Sequence, residues 1–271
     1  MKYAAGVILY NPTQEQIDRI CKLEESFDAI FLFDNSEPTY QKPSYPHHIK
    51  FHLLGEDANK GLSYAFNKII KLCGEYDYLC TLDQDSIYTK EEICKLRTYL
   101  DKMPISSKIG IVAPFVDYGT KPFTPSEEAE HVDFVITSGS FVNLTMIRER
   151  NITFDENYFI DRVDADLCKE VKALGYEIIM YHKSVLQQRL GEEMAHSRSS
   201  HNSLRHYYMF RNRLYFNNKW YRGPKKWFLN VAQTIKHLNM ILWYETDKPK
   251  KLKAFIEALN DYRNNKLGKK I

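Results

Sequence analysis

The chain has 271 residues, of which 44% are hydrophobic and 27% are charged. This composition excludes a disordered or fibrous chain and predicts one large α/β domain with a smaller appendage. No apolar run approaches the roughly 20 residues that cross a bilayer, and the N-terminus leads directly into a strand pattern, so we expect a cytoplasmic protein. The five cysteines are scattered without ligand spacing and predict reduced core thiols.

The net charge of +3 is unevenly distributed along the chain. Residues 219–271 carry thirteen Lys and Arg against four Asp and Glu, a charge of +9, which leaves −6 for the residues before them. A basic, aromatic segment on an acidic body favours an anionic membrane surface as a partner. Nucleic acid is disfavoured because the basic residues are spread along amphipathic helices. We therefore expect the protein at the inner face of the cell membrane, with a homodimer as a further interpretation.

The first half of the chain alternates short apolar runs with helical patterns, which is typical of parallel βαβ units. The predicted strands lie at 3–9, 29–33, 49–54, 78–83 and 109–113, and the predicted helices at 11–26, 61–72 and 90–100. A Pro-rich, acidic loop that could fold over a ligand then precedes a predicted strand at 132–136. A helix at 161–174 and a strand at 177–180 follow, and from residue 199 the pattern is helical.

The predicted strand at 78–83 ends in the acidic turn Asp83-Gln84-Asp85-Ser86. Two carboxylates at a sheet edge can hold Mg²⁺ or Mn²⁺, since these ions prefer oxygen ligands and leave positions for water and phosphate. The alternative is that this turn caps the helix beginning near Thr89. A phosphatase motif is disfavoured, because its nucleophile normally follows the first strand of its fold and three strands precede Asp83.

Asp161 and Asp164 lie at the predicted start of the next helix. The helix dipole stabilises a carboxylate there as an anion, which is then able to act as a base. The ordinary alternative, which the bare sequence favours, is a capping box with Asp161 as the N-cap and Asp164 as its third-position partner.

Three further segments place polar side chains at strand ends, turns or helices. Asp34 follows the second strand, where its carboxylate can accept a hydrogen bond from a pyrimidine N3–H, although a turn is the commoner role. The segment 137–140 is a polar turn that can approach an acceptor hydroxyl or simply bend the chain. Tyr208 and Arg211 lie on a predicted helix, where they can contact a sugar and a diphosphate or only pack against the body.

Taken together, these segments resemble the family 2 glycosyltransferases with a GT-A fold, and within them a bacterial rhamnosyltransferase-like branch. The resemblance covers about residues 3–215 and depends on seven motifs in the family's order. They are Gly6-Val7-Ile8-Leu9-Tyr10-Asn11-Pro12, Asp34-Asn35-Ser36, Asn59-Lys60-Gly61-Leu62, Leu82-Asp83-Gln84-Asp85-Ser86, Thr137-Ser138-Gly139-Ser140, Phe159-Ile160-Asp161-Arg162-Val163-Asp164, and Tyr208 with Arg211-Asn212.

The resemblance implies a Rossmann-like, mostly parallel central sheet flanked by helices and followed by a helical extension. We divide the chain into a glycosyltransferase domain at 1–215, with halves at 1–115 for the nucleotide and 116–215 for the acceptor, and a basic extension at 216–271. The implied enzyme is an inverting, metal-dependent hexosyltransferase of polysaccharide synthesis. It would move a sugar, with rhamnose as one candidate, from a dTDP- or UDP-sugar to a saccharide or lipid-linked acceptor. The alternative is a non-catalytic scaffold that binds a sugar nucleotide or a membrane.

The resemblance also implies roles for single residues. Asp83 and Asp85 would hold Mn²⁺ or Mg²⁺ on the donor diphosphate, and Asp164 would be the catalytic base, with Asp161 as an alternative base or acceptor-orienting group. The implied donor-binding residues are Tyr10, Asn11, Asp34, Asn59, Gly61, Asp83, Gln84 and Arg211, and the implied acceptor-binding residues are Ser138, Gly139, Ser140 and Tyr208.

One departure from the family concerns the third metal ligand. Members often carry a His three residues before a Gly in the segment after the acidic helix, and here Gln188 precedes Gly191 at that spacing. Gln is a weaker, neutral ligand. Either His182 or His196 completes the site, or Asp85 and phosphate hold most of the metal.

Overall fold

The computed structural model describes residues 1–104, 108–119, 127–188, 193–194, 198–199 and 201–270. Its strands are β1 Tyr3–Leu9, β2 Ala29–Asp34, β3 Phe51–Gly55, β4 Tyr78–Asp83, β5 Ile109–Asp117, β6 Ala129–His131, β7 Phe141–Asn143, β8 Glu177–Gln187, β9 Glu193–Met194 and β10 Arg198–Ser199. The first eight form one sheet in the order β3-β2-β1-β4-β7-β5-β8-β6, and β9 pairs with β10 separately. Gly191 and His196 lie outside the described residues.

The helices are α1 Gln14–Cys21, α2 Leu62–Leu72, α3 Lys90–Asp101, α4 Leu144–Arg150, α5 Val163–Ala173, α6 Ser203–Trp220, α7 Gly223–Tyr244 and α8 Lys248–Arg263. One core lies on the face of the sheet covered by α2, α4 and α5, and a second core lies on the opposite face under α1 and α3. The predicted mixed α/β architecture, with helices flanking a central sheet and a helical C-terminal region, is confirmed.

The N-terminal half of the sheet is parallel. β1 pairs in parallel with β2 and β4, and β3 pairs in parallel with β2. Leu9 stands opposite Asp34, and Ile8 stands opposite Asp83, so the polar residues that end β2 and β4 reach the same edge of the sheet. This is the edge where ligands bind in open α/β sheets.

The caps of α1 and α3 correct one predicted helix start and one predicted capping role. The side chain of Thr13 accepts a hydrogen bond from the Gln16 N–H and closes a capping box, so α1 begins at Gln14 rather than at Asn11. Asn11 instead adopts a left-handed backbone with φ of 48°. The side chain of Thr89 caps α3 by accepting from the Glu92 N–H. The acidic turn therefore does not cap α3, and that alternative is wrong.

The region after β5 differs most from the predicted elements. The predicted strand at 132–136 is absent, and two three-residue strands that the sequence does not predict, β6 and β7, lie on either side of it. β7 is inserted antiparallel between β4 and β5, in the centre of the sheet. Val135 is buried although it lies in no strand, because its side chain packs in the core under α2, α4 and α5. Burial of apolar side chains in an irregular segment produced the false strand pattern.

The C-terminal helices, by which we mean α6, α7 and α8, pack against one another. Helix α6 runs continuously from Ser203 through residue 215 to Trp220. The rings of Phe210 on α6 and Phe255 on α8 have centroids 4.0 Å apart, and Tyr207 donates to Asp261 at 2.7 Å. Within the described residues, none of the helices combines the length and the apolar character that a bilayer span requires.

Candidate active site at the carboxyl edge of the parallel strands

Asp83 ends β4 in a turn that neighbouring backbone and hydroxyl groups hold in place. The Asp83 N–H donates to Ser138 Oγ at 3.1 Å, and Ser86 Oγ lies 2.7 Å from the same hydroxyl. The Gln84 amide ties the turn to the end of β1, because it exchanges hydrogen bonds of 2.8 and 3.0 Å with the backbone of Tyr10. These bonds hold the backbone of the turn and do not use the carboxylates of Asp83 and Asp85.

Four carboxylates gather near this turn: Asp83, Asp85, Asp161 and Asp164, which we call the acidic edge. Burial, and next the negative charges of Asp85 and Asp164, raise the pKa of Asp83 to about 6. Burial also raises the pKa of Asp161 and of Asp164. Like charges held together in a partly buried place are costly unless a cation or hydrogen-bond donors compensate them.

The segment that carries Asp161 has an unusual backbone. Asp161 and Arg162 both adopt left-handed conformations, with φ of 63° and 71°. The segment is held against the start of α2, where the Leu62 N–H donates to the Phe159 carbonyl at 2.9 Å. A Cβ on Gly61 would lie 2.5 Å from that carbonyl oxygen, so only glycine permits this approach. Two successive non-glycine residues in this conformation store strain of the kind found at functional sites.

Asp161 does not form the capping box that the bare sequence favours. Helix α5 begins at Val163, with Arg162 as its N-cap residue and no side-chain cap. Asp164 lies in the first turn, where its Oδ1 accepts from the Ala165 N–H at 2.7 Å. Since neither carboxylate caps the helix in the expected way, the capping alternative is wrong.

Arg205, a residue that the sequence does not single out, makes the principal contact to Asp161. Its Nε and Nη2 atoms lie 3.1 and 2.9 Å from Asp161 Oδ1. The second oxygen, Oδ2, is buried and has no hydrogen-bond partner in the part of the chain that the structure describes. Arg205 also acts on Asp83, because its positive charge lowers the pKa that burial has raised.

At the predicted nucleotide end, Asp34 is buried and already has partners. Its Oδ1 accepts from the Ser36 N–H at 2.8 Å, while Oδ2 accepts from the Tyr45 hydroxyl at 3.0 Å and lies 3.2 Å from Lys42 Nζ. These bonds hold the pKa of Asp34 below its usual value even though burial acts to raise it. Tyr10, beside this group, is 49% exposed, so its ring is open to a ligand.

Two other predicted donor-binding residues hold the entry to α2. The side chain of Asn59 accepts from the Gly61 N–H at 3.0 Å. Asn35 bridges the same segment, accepting from the Lys60 N–H and donating to the Gly61 carbonyl. Asn11 donates its N–H to Ser36 Oγ at 2.8 Å. The residues predicted at this end therefore form one connected group around the ends of β1 and β2.

The turn 137–140 has a structural role that differs from its predicted contact with an acceptor. Ser138 and Ser140 are both buried, and Ser140 Oγ donates to the Ile136 carbonyl. Gly139 donates its N–H to the Thr81 carbonyl at 2.7 Å. These groups therefore support β4 and the turn at Asp83. Ser138, Gly139 and Ser140 are already engaged in these hydrogen bonds and are not proposed as acceptor ligands.

Arg211 and Tyr208 also differ from their predicted roles. The Arg211 side chain is 1% exposed, and its Nη2 donates to the Gly268 carbonyl at 2.7 Å. The Tyr208 hydroxyl accepts from the Lys270 N–H at 2.8 Å, and its ring stacks on Phe159. Both side chains are engaged with the C-terminal segment, so the Arg211 guanidinium is not available to a diphosphate in this structure.

Gln188 adjoins the acidic edge as the family spacing implies. Its Nε2 lies 3.5 Å from Asp83 Oδ2. His182 instead bonds through Nδ1 to the Glu127 carbonyl at 2.9 Å, on the β6 side of the sheet. Among the described residues, no group of three or more His, Cys, Asp or Glu side chains is arranged to hold a metal.

Besides Arg205, the structure adds Tyr118 to the site. The charge of Asp164 contributes to raising the pKa of Tyr118, after the larger effect of burial, and the side chain remains partly exposed just beyond β5. No local pattern marks Tyr118, since it lies beyond the end of the predicted strand at 109–113. Tyr118 reaches the site because β5 extends to Asp117, beyond the strand that the sequence predicts.

Comparison with known proteins agrees with this architecture. A family model described as Glycosyl transferase family 2 matches residues 10–160. The crystal structure of S. aureus TarS residues 1–349 in complex with UDP-GlcNAc is similar to this chain, with a TM-score of 0.58 and 13% sequence identity. The match covers 98% of this chain and 84% of that chain. The complex of the same TarS segment with UDP has a TM-score of 0.55 and 12% sequence identity, and the match covers 98% of this chain and 83% of that chain.

The crystal structure of S. aureus TarS gives a TM-score of 0.55 at 13% identity, and the match covers 98% of this chain and 50% of that one. No curated protein matches the sequence significantly. At such low identity the structures establish the fold, and the family model, which spans more than half of the chain, establishes the family. The chain belongs to glycosyltransferase family 2 and is a glycosyltransferase with a GT-A fold.

Proposed function

We propose that this glycosyltransferase uses a UDP- or dTDP-sugar and transfers the sugar with inversion to a saccharide or lipid-linked acceptor of cell-surface polysaccharide synthesis. The acidic edge is the observation that carries the proposal. Three partly buried carboxylates with raised pKa values converge where the parallel strands end. That the similar TarS structures were obtained with UDP-GlcNAc and UDP supports a nucleotide sugar as the donor class. Rhamnose stays one candidate sugar among others.

Asp164 is our candidate for the catalytic base. It is partly buried in the first turn of α5, and its raised pKa improves its ability to accept a proton from an acceptor hydroxyl. As the acceptor oxygen bonds to the anomeric carbon, the bond from that carbon to the diphosphate breaks, the proton passes to Asp164 and the nucleoside diphosphate leaves. Asp161 is less suited, because one of its oxygens is paired with Arg205.

A divalent cation, Mn²⁺ or Mg²⁺, fits the carboxylates of Asp83 and Asp85. Burial, and next the negative charges of Asp85 and Asp164, raise the pKa of Asp83, and Arg205 offsets only part of this effect. When bound, the cation would neutralise negative charge on the leaving diphosphate. Gln188, with its amide next to Asp83, is the neighbouring group that can adjust to the cation.

Nucleotide binding is the direct test of the proposal. We expect the full chain to gain thermal stability with one class of nucleotide sugar in the presence of Mn²⁺, and to lose that gain in EDTA, because ligand binding to the native state stabilises it. Asp85→Asn should reduce the metal-dependent part, while Asp18→Asn on the exposed face of α1 should not. Absence of stabilisation by any UDP- or dTDP-sugar would contradict the proposal.

The scaffold alternative is separated by chemistry rather than by binding. An active enzyme is expected to hydrolyse its donor slowly without acceptor and to release the nucleoside diphosphate, which chromatography detects. A scaffold binds the same nucleotide without turnover. Four closely placed carboxylates favour the enzyme, because a scaffold gains nothing from the cost of holding them together.

We also propose that α7 lies on an anionic membrane surface at the cytoplasmic face. Its exposed apolar side chains recur at helical spacing and form one stripe, which consists of Trp227, Phe228, Val231, Ile235 and Leu242, and Trp243 is 76% exposed at the end of the helix. Lys225, Lys226 and Lys236 lie on the same helix. Exposed aromatics combined with the +9 charge of residues 219–271 are suited to an interface of acyl chains and anionic headgroups.

Vesicle flotation tests the membrane proposal. The chain should bind vesicles that contain phosphatidylglycerol more strongly than neutral ones, and Trp227→Ser with Phe228→Ser should abolish the difference. Ile49→Ser, at another exposed apolar side chain, is the matched control. If the double variant instead removes a dimer seen by ultracentrifugation without lipid, the stripe is a contact between two copies and the membrane proposal fails.

A further inference from the structure

Helix α6 carries Arg205, Arg211 and Arg213, and among the described contacts it is Arg205 that pairs with a carboxylate of the acidic edge. It lies in the first turn of the helix, 44% of its side chain is exposed, and two of its nitrogens contact Asp161 Oδ1. Arg211 is six residues further along and about 120° around the helix, and its guanidinium donates to the carbonyl of Gly268 in the C-terminal segment. Only one of these two guanidinium groups is therefore presented to a ligand.

The contact with Asp161 leaves part of the Arg205 fork unused. Nε and Nη2 are directed at one carboxylate oxygen, and Nη1 has no hydrogen bond to any of the described residues. The two contacts to Asp161 Oδ1 orient the guanidinium, and Asp161 itself lies in a left-handed segment of backbone. A guanidinium fixed along one edge can donate from its other edge to phosphate oxygens in a defined geometry.

We infer that Arg205 binds the diphosphate of the nucleotide donor and that Asp161 is its positioning residue. The inference rests on the proposed function and makes it more specific, because it transfers the diphosphate contact from Arg211 to Arg205. It also gives Asp161 a role distinct from that of the base, Asp164. The diphosphate would then be neutralised from two sides, by the cation at Asp83 and Asp85 and by this guanidinium.

Binding of a nucleoside diphosphate and of its nucleoside, measured by calorimetry on the full chain, tests the inference. The probes are UDP and uridine, or dTDP and thymidine, whichever pair the wild-type chain prefers, with Mg²⁺ and again with EDTA. We expect Arg205→Gln to weaken the diphosphate about 10- to 100-fold, as expected for loss of a charge-assisted hydrogen bond, and to leave nucleoside affinity unchanged. Arg205→Lys should be intermediate, since lysine keeps the charge but loses the fork.

Asp161→Asn supplies the readout for positioning. It should weaken the diphosphate less than Arg205→Gln, and combining the two substitutions should add little to Arg205→Gln alone, because Asp161 acts through Arg205. Arg263→Gln, an exposed change of the same charge on α8, should leave both affinities unaltered. Thermal unfolding without ligand establishes that each variant is folded.

The outcomes separate this inference from the function on which it rests. If the wild-type chain binds neither diphosphate, the proposed function and the inference both fail. If it binds one of them and Arg205→Gln leaves the ratio of diphosphate to nucleoside affinity unchanged, only the role of Arg205 is refuted. A variant that loses nucleoside and diphosphate binding equally would show that Arg205 supports the fold of the site, which also refutes the inference.

Discussion

The acidic edge and the C-terminal helices both remove ionisable side chains from water, but they compensate them differently. At the acidic edge, Asp83 and Asp164 lie near other carboxylates, and burial raises the pKa of each. In the C-terminal helices the buried Glu245 pairs with the buried Lys251 at 2.6 Å. Buried charge that is balanced locally supports architecture, whereas buried charge of one sign indicates a place where a ligand supplies the rest.

The same contrast separates residues that are neighbours in sequence. Asp164 and Asp166 lie two residues apart on α5, yet Asp166 is tied to Lys219 at 2.7 Å and to the Trp220 indole at 2.6 Å. Asp164 has one backbone bond. If the contrast holds, substitutions at these paired positions should separate activity from stability.

Asp164→Asn should have the largest effect on activity. Removing a general base is expected to lower the transfer rate about 10²- to 10⁴-fold, because the acceptor hydroxyl then has no group to take its proton. Donor affinity and the free energy of unfolding should stay close to wild type. A steady-state assay of transfer, together with nucleotide binding, measures this. A transfer rate that is close to wild type would remove Asp164 from the role of base.

Arg211→Gln should have the largest effect on stability. The substitution removes a buried charge that donates to the Asn157 and Gly268 carbonyls and to the Tyr207 hydroxyl, and we expect the free energy of unfolding to fall by about 3 kcal/mol. Urea denaturation measures the loss. Exposed Arg263→Gln should change stability by less than about 0.5 kcal/mol. A fully stable Arg211→Gln that loses diphosphate affinity would restore the role predicted from sequence.

Asp166→Asn should destabilise the fold by less, about 2 kcal/mol, because an amide oxygen keeps one acceptor and Lys219 retains Asp155 at 3.0 Å. Transfer activity per folded molecule should be unchanged. The measurement combines urea denaturation with an activity assay at a temperature where the variant is fully folded. Equal losses of activity at Asp164 and Asp166 would contradict the distinction between the acidic edge and its surroundings.

The sequence predicts the parallel half of the fold well, because β1, β2 and β4 are continuous apolar runs that end in polar residues. The same strand ends carry Asp34 and Asp83, so the candidate carboxylates could be found by reading where each run stops. β7 could not be predicted, since a three-residue strand has no recognisable period and its place in the sheet depends on partners in β5 and β4 that are distant in the sequence.

The choice between Arg205 and Arg211 shows where the reading of helix faces fails. Helix α6 is buried over most of its circumference, so its apolar pattern does not reveal which face meets the site. Which arginine faces the site depends on α8 and on residues 266–268. The carbonyls of this segment accept hydrogen bonds from Arg211, although they lie more than 50 positions further along the chain. Only packing between distant segments could supply that information.

The smallest effect should appear in the pH dependence of stability, where the buried histidines of the C-terminal helices and Asp83 at the acidic edge act in opposite directions. Burial lowers the pKa of His206 to about 4 and that of His237 to about 3. The charge of Glu245 acts to raise the pKa of His206, whereas Lys251 and His201 act to lower it. Arg213 and His206 act to lower the pKa of His237. Because the unfolded histidines bind protons first, their contribution to stability should be complete above about pH 6.5 and decline as the pH falls toward 4. Asp83 binds its proton first in the folded chain, because its pKa is raised to about 6, so it offsets part of this decline. Urea denaturation between about pH 7 and 5 should show that His237→Leu loses the histidine part of the pH dependence, so that its stability falls less than that of the wild type, while His47→Gln follows the wild type. If His237→Leu kept the wild-type slope, the buried histidines would not be the origin of the acid sensitivity.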